Sequence, residues 1–363
     1  MTPSSAVALT ALVFGLAYWM TRRLCMPTAR VHWLDRPNER SLHTRPVPRT
    51  GGLAIVTSVA IGLLASRGLR IGVSAETSPV GHSDVWMSPI GWILTMAVVV
   101  GAVSLWTDRR ELSPAARFTV HALAAVGVVW GGDLALEAVG LPTVGSLSLG
   151  HLGGLVSIGV LVWMANLYNF MDGMDGFAGG MTLIGFGVLG AIAAGHSHTS
   201  MALLSLLAAA AAAGFLPHNL PPARIFMGDA GSVSLGFLAG ALVLLGVRQR
   251  IFDIWTPLLI FSPFILDATL TLVRRLVQMK RIWHPHHEHY YQRLVLAGLG
   301  HRQTVLAEYG LMLACGVTAL YYVWAPESER LILLLAWAVI YTVLILAVRV
   351  SETHHVRRQG SPA

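Results

Sequence analysis

Thiols and charges are both scarce in this chain of 363 residues. Its two cysteines, Cys25 and Cys315, lie far apart and show no CxxC spacing. That excludes a disulfide framework and a thiolate metal site. Only 12% of residues are charged and 55% are hydrophobic, whereas roughly a quarter of a soluble globular protein is Asp, Glu, Lys or Arg. Disorder is excluded too, because it requires low hydrophobicity and dense charge. No period of about 20 to 50 residues recurs, and the one low-complexity tract is an alanine run at 208–213 that suits close helix packing.

What the chain has instead is long apolar runs and a mean hydropathy of +0.64. About 20 predominantly apolar residues are what a helix needs to cross the hydrocarbon of a bilayer. Eleven such runs are read: 5–20, 51–66, 88–106, 118–138, 151–167, 177–194, 200–216, 231–247, 254–273, 303–324 and 330–348. The expected fold is therefore an all-α polytopic membrane protein of about eleven transmembrane helices, forming a single domain over 1–363. The first run has no basic segment before it and is followed by Arg22 and Arg23, so it is read as an uncleaved span with the N-terminus outside and the C-terminus cytoplasmic. With that orientation 20 of the 25 Lys and Arg residues fall inside and 5 outside, an asymmetry large enough to set topology. The formal charge of +7 is thus a matter of membrane orientation, and no nucleic-acid partner is expected. Arg248 and Arg250 stand out as an outside pair that this reading leaves without an explanation.

The same assignment sorts the acids. Asp35, Glu39, Asp108, Glu111, Asp172, Asp175, Asp229 and Glu288 all fall in inside loops or at inner helix ends, so the chemistry is expected at the cytoplasmic face. Between two runs lies Asn166-Leu-Tyr-Asn-Phe-Met-Asp-Gly-Met-Asp-Gly-Phe-Ala-Gly-Gly180. Carboxylates three apart share a face of a helical turn and repel unless a cation or substrate donors compensate them; a solvated turn whose Asp caps the next helix is the plainer reading. Pro217-His-Asn-Leu-Pro-Pro-Ala-Arg-Ile-Phe-Met-Gly-Asp-Ala-Gly-Ser232 puts Asp229 beside a glycine-rich helix start, a favourable place for phosphate. His284, His286, His287 and His289 crowd one loop, and imidazole suits zinc or phosphate oxygens. The basic segment from Asp35 to Gly52 fits anionic headgroups as well as a substrate.

Taken together, DRPNERSLHTRPVPRTGG, the TDR at 107–109, NLYNFMDGMDGFAGG, NLPPARIFMGDAGS, LDATLTLVRR and HPHHEHYYQRL occur in the order in which the polyprenyl-phosphate N-acetylhexosamine-1-phosphate transferase family carries them. The chain resembles that family over about residues 30–305, and its LYNFMDG and H-x-x-H-x-YQRL wording is most similar to the O-antigen-initiating branch. The resemblance implies a magnesium-dependent transfer, with manganese as a possible substitute. A UDP-N-acetylhexosamine, either the GlcNAc donor or a 6-deoxy relative such as FucNAc or QuiNAc, would donate sugar-1-phosphate to undecaprenyl phosphate in the bacterial inner membrane. It also implies a bilayer partner and leaves a homodimer open.

Carried over by position, the resemblance makes Asp229 and Asp108 metal ligands. Asp108, Asp172, Asp175, His286 and His289 become catalytic, and Asn169 and Gly173 substrate-binding. Asn219 and Phe226 become uridine contacts, with Arg40, His43 and Arg49 toward the lipid phosphate. One departure stands out: Thr107 occupies the place of the first of two adjacent acids in the family. Two other readings remain open, a polytopic metal or solute carrier and a catalytically degenerate family member.

Overall fold

The computed structural model describes residues 3–31, 33–37, 45–68, 88–110, 112–281 and 286–359. Arg40 and His43, expected toward the lipid phosphate, lie outside the described residues. The chain is built from α1 (Pro3–Leu24), α2 (Gly51–Gly68), α3 (Pro89–Arg109), α4 (Pro114–Val126), α5 (Leu152–Met171), α6 (Phe177–Gly195) and α7 (Thr199–Asn219). There follow α8 (Asp229–Arg248), α9 (Trp255–Ile260), α10 (Ser262–Val277), α11 (Tyr290–Leu294), α12 (Gly300–Trp324) and α13 (Glu327–Gln359). Helices are what lipid demands, because each backbone group must find its partner within the segment. Two short antiparallel ribbons interrupt them: β1 (Leu34–Asp35) with β2 (Val47–Pro48), and β3 (Ala138–Leu141) with β4 (Gly145–Ser148).

Among the described residues, nine helices are long and apolar enough to cross a membrane. The other two expected spans are present as helix but differ in form. The fourth, read as 118–138, is α4 continued by a π-helical turn at Gly127–Gly131. It begins earlier because Ser113 caps it, accepting from the N–H of Ala116 at 3.2 Å, with Pro114 in the first turn. The ninth, read as one run over 254–273, is broken at Phe261 into α9 and α10, where Pro263 offers no N–H to continue the ladder.

The core centres on α8, whose apolar window is 94% buried. It packs against α2, α3 and α5, and glycines set the spacing: a Cβ on Gly236 would lie 2.4 Å from the carbonyl oxygen of Met164 on α5. A second tight layer joins α7 to α1 and α6, through the alanine run foreseen for close packing. By contrast the window of α13 is only 11% buried. The ends of α3, α5 and α7 and the starts of α2, α6, α8 and α11 meet at one end of the bundle, bringing the acidic loops together.

Candidate active site at the start of α8

Asp229 opens α8, and the loop before it is shaped by Gly228, whose φ of +73° only glycine adopts easily. The free N–H groups of this helix start do not face open space. Asp108, in the last turn of α3, accepts from Asp229 N at 3.1 Å and from Ala230 N at 2.9 Å, capping α8 from a different helix. Arg49 fixes this junction: its Nη2 donates to the Asp108 carbonyl oxygen at 2.6 Å. The basic segment is laced to the same loop, since Gly51 N donates to Phe226 O at 2.9 Å, Gly52 N to Met227 O at 2.7 Å and Phe226 N to Pro48 O at 2.7 Å. A Cβ on Gly52 would lie 2.2 Å from Gly231 N, so glycine there allows α2 and α8 to touch backbone to backbone.

The Asp229 carboxylate is engaged on both sides. Asn169, near the end of α5, donates from Nδ2 to Asp229 Oδ1 at 2.8 Å and to Ser232 Oγ at 3.2 Å. Arg117 of α4 pairs with Asp229 Oδ2 at 2.9 Å. Asp172, in the turn after α5, completes the acidic cluster: burial first, then the charges of Asp229 and Asp108, hold its carboxyl well above the usual carboxylate range. The charge repulsion within this cluster, the smaller part of that shift, is what a cation would relieve.

Asp172 and Asp175 do not share a helical face as expected, because 172–176 is a turn between α5 and α6. Asp175 instead accepts from Ala223 N at 2.9 Å. Asn219, expected at uridine, is buried: its Oδ1 accepts from Gly176 N at 3.0 Å and its Nδ2 donates to Ile225 O at 2.8 Å. Both residues tie the turn at 172–176 to the loop before α8. Phe226 is half-buried in that loop.

The histidine loop reaches the same region, with 286–288 outside any helix and His289 at the cap of α11. The rings of His286 and His289 lie 4.8 Å apart, and His289 stands 6.4 Å from Phe170. Asp267 of α10 holds His289: it meets His289 Nδ1 at 3.1 Å and accepts from the N–H groups of Tyr290 and Tyr291 at 2.9 and 3.0 Å. That bond orients the ring and directs Nε2 away from Asp267. Burial chiefly, with neighbouring His289 and Arg275, lowers His286 to about 4, so it is neutral near pH 7. Tyr291 joins the two halves: its hydroxyl donates to Phe170 O at 3.3 Å and leaves no room for a side chain at Gly173, where a Cβ would lie 2.2 Å from that oxygen.

Comparison with known proteins identifies the family. A protein of Bacillus subtilis described as a probable undecaprenyl-phosphate N-acetylglucosaminyl 1-phosphate transferase is 32% identical over 279 residues, covering 76% of this chain and 73% of the relative. The chain belongs to the polyprenyl-phosphate N-acetylhexosamine-1-phosphate transferase family. The model for glycosyl transferase family 4 matches residues 90–247, the stretch that carries Asp108, Asn169, Asp172, Asn219 and Asp229. A decaprenyl-phosphate N-acetylglucosaminephosphotransferase of Mycobacterium leprae is 28% identical over 330 residues, 84% of this chain and 79% of that one. An undecaprenyl-phosphate alpha-N-acetylglucosaminyl 1-phosphate transferase of Escherichia coli K12 is 27% identical over 318 residues, 84% and 82% of the two chains.

In this family member the acids fit a hard divalent cation in one particular way. Among the described residues no group of three or more His, Cys, Asp or Glu side chains forms a metal cage. Magnesium does not require one, since it keeps several waters and takes one or two carboxylates together with phosphate oxygens. Asp229 would be one such carboxylate, with Asp172 and Asp108 beside it at the start of α8, and each keeps lone pairs for a cation beyond the hydrogen bonds it already accepts. Sequence reasoning missed Arg117 as a site residue. Its signal was faint: one arginine just ahead of an apolar run, 112 positions before its partner Asp229.

Proposed function

We propose that the chain transfers N-acetylhexosamine-1-phosphate, from UDP-GlcNAc or a 6-deoxy relative, to undecaprenyl phosphate, releasing UMP. This would be the first lipid-linked step of a cell-surface glycan such as O-antigen, performed as one membrane domain at the cytoplasmic face of a bacterial inner membrane. The observation that carries the reading is the meeting of Asp108, Asp172 and Asp229 with Asn169 at the start of α8, within a chain of this family. A carrier would line successive spans with its ionisable groups, whereas these acids gather at one end of the bundle.

In the reaction a lipid-phosphate oxygen attacks the sugar-bound phosphorus of the UDP-sugar, and the bond to the UMP oxygen breaks. Bound magnesium would supply charge neutralisation for the phosphates, held by Asp229 with Asp172 and Asp108 beside it. Asn169 fixes the Asp229 carboxylate, and Arg117 would move from Asp229 to phosphate oxygens once that carboxylate is engaged. Arg49 places a further cation beside the start of α8, and the paired imidazoles of His286 and His289 offer ring nitrogens for diphosphate. Phe226 presents a ring face for uracil.

Thr107 is no base. Its hydroxyl donates to the Val103 carbonyl oxygen at 2.9 Å. None is required, because a phosphate monoester has a second pKa of about 6 and is mostly dianionic at neutral pH. The test is UMP release by detergent-purified protein given magnesium, undecaprenyl phosphate and a panel of UDP-N-acetylhexosamines. Release with one sugar establishes the reaction and identifies the donor. Silence with every sugar, while a relative with both acids turns over in the same assay, would overturn the proposal.

A further inference from the structure

Away from the acids, at the opposite end of the 20-residue α8 and so about 30 Å from Asp229, a cavity of about 500 Å³ opens between the turn after α8, β3 and the start of α13. Its wall includes His196, Arg250, Asp253, Thr256, Tyr322 and Arg330. Asp253 is already satisfied: Oδ1 accepts from Trp255 N at 3.1 Å and from Thr256 N at 3.2 Å, while Oδ2 accepts from Tyr322 Oη at 3.1 Å and faces Arg330 Nη1 at 3.8 Å. Arg330 is held in turn by the carbonyl oxygens of Ala325 and Val323. Arg248, the other arginine of this turn, closes on Asp133 and Glu137.

Arg250 is different. Among the described residues its guanidinium has no acid or carbonyl partner, although it lines the cavity. It also stands at φ +56°, one residue past the cap of α8, where its N–H closes the helix on Val247 O at 3.0 Å. Glycine usually fills that position, because a side chain is strained there. Aromatic rings give the depth: Trp324 stacks on His196 at 5.4 Å, and Trp255 Nε1 donates to Gly140 O at 2.6 Å. Tryptophans of this kind mark the level of lipid headgroups.

We infer that this cavity binds a phosphoryl anion, with Arg250 as its cation, the phosphate coming from an anionic lipid headgroup or from soluble phosphate. The volume suits a small ligand or headgroup, and guanidinium is the group that grips phosphate with two parallel N–H donors. The inference rests on the cavity and its charges and does not depend on the transferase reading.

The test uses the full chain in a neutral-headgroup detergent, titrated with inorganic phosphate, short-chain phosphatidylglycerol and short-chain phosphatidylcholine, with binding followed by microscale thermophoresis. Arg250→Gly is the informative variant, since glycine suits φ +56° and the fold is retained, as an equal or higher melting temperature would show. The expected result is binding of phosphatidylglycerol over phosphatidylcholine that weakens at least tenfold in Arg250→Gly. Equal binding of inorganic phosphate, lost in the same variant, would identify free phosphate as the source. No binding of either phosphate probe by the unaltered chain, or binding of equal strength in Arg250→Gly, overturns the site.

Discussion

Asn219 is where the family pattern and the geometry give different answers, and one substitution separates them. In Asn219→Ala the buried N–H of Gly176 and the buried carbonyl of Ile225 both lose their partner. A buried polar group left unpaired costs about 1 to 3 kcal/mol, so the two together cost about 2 to 6 kcal/mol. Against a net stability of about 5 to 15 kcal/mol, that is a large loss. It should appear as a clear drop in the melting temperature of detergent-solubilised protein followed by tryptophan fluorescence. Asn219→Asp should not recover it, because a carboxylate keeps the acceptor for Gly176 but offers Ile225 no donor. If Asn219 acts by holding the loop, surviving folded protein loses kcat together with affinity for nucleotide, as the whole loop before α8 shifts. An unchanged melting temperature with a tenfold higher KM for the UDP-sugar would refute the clamp and return Asn219 to the uridine pocket.

Asp229→Asn should reduce turnover at least a thousandfold while leaving a folded protein, and full activity in the UMP assay would remove Asp229 from the site. Asp172 contributes a pH dependence of known sign: its raised folded pKa stabilises the protein at pH below the ordinary carboxylate range, and that stability is lost as pH rises through the raised value. In chelator the melting temperature should therefore fall with rising pH, and Asp172→Asn should flatten that slope; an unchanged slope would refute the assignment. Gly228→Ala places a Cβ 2.5 Å from the Arg49 carbonyl oxygen in a backbone region that costs about 1 to 3 kcal/mol for other residues. Loss of both stability and turnover is expected, and a variant of unaltered melting temperature would show that the loop is not tightly held. His286 should remain neutral from pH 5 to 8, given a value lowered to about 4, and histidine NMR titration would detect a charge change within that interval.

Much of this was legible in the sequence because membrane insertion writes its constraints locally. Apolar runs and basic flanks located the helices, and the order of the motifs brought Asp108, Asn169, Asp172 and Asp229 to one end. What could not be read depends on the register of one helix against another. Arg117 meets Asp229 only because α4 lies beside the start of α8, and Asp108 caps α8 from α3. Hydropathy continues unbroken through Phe261, so the division of α9 from α10 left no trace in the apolar pattern. The outside pair Arg248 and Arg250 read as two equivalent charges. Only the fold separates them, giving Arg248 two acids and Arg250 a cavity.

The burial of α8 also bears on how the protein lives with its bilayer. When lipid thickness changes, a span in contact with acyl chains tilts or slides to match it. α8 touches almost no lipid, with 94% of its apolar window enclosed, whereas α1 and α13 have windows only 22% and 11% buried. Hydrophobic mismatch is thus absorbed at the rim. Asp229 rides on a shaft insulated from it.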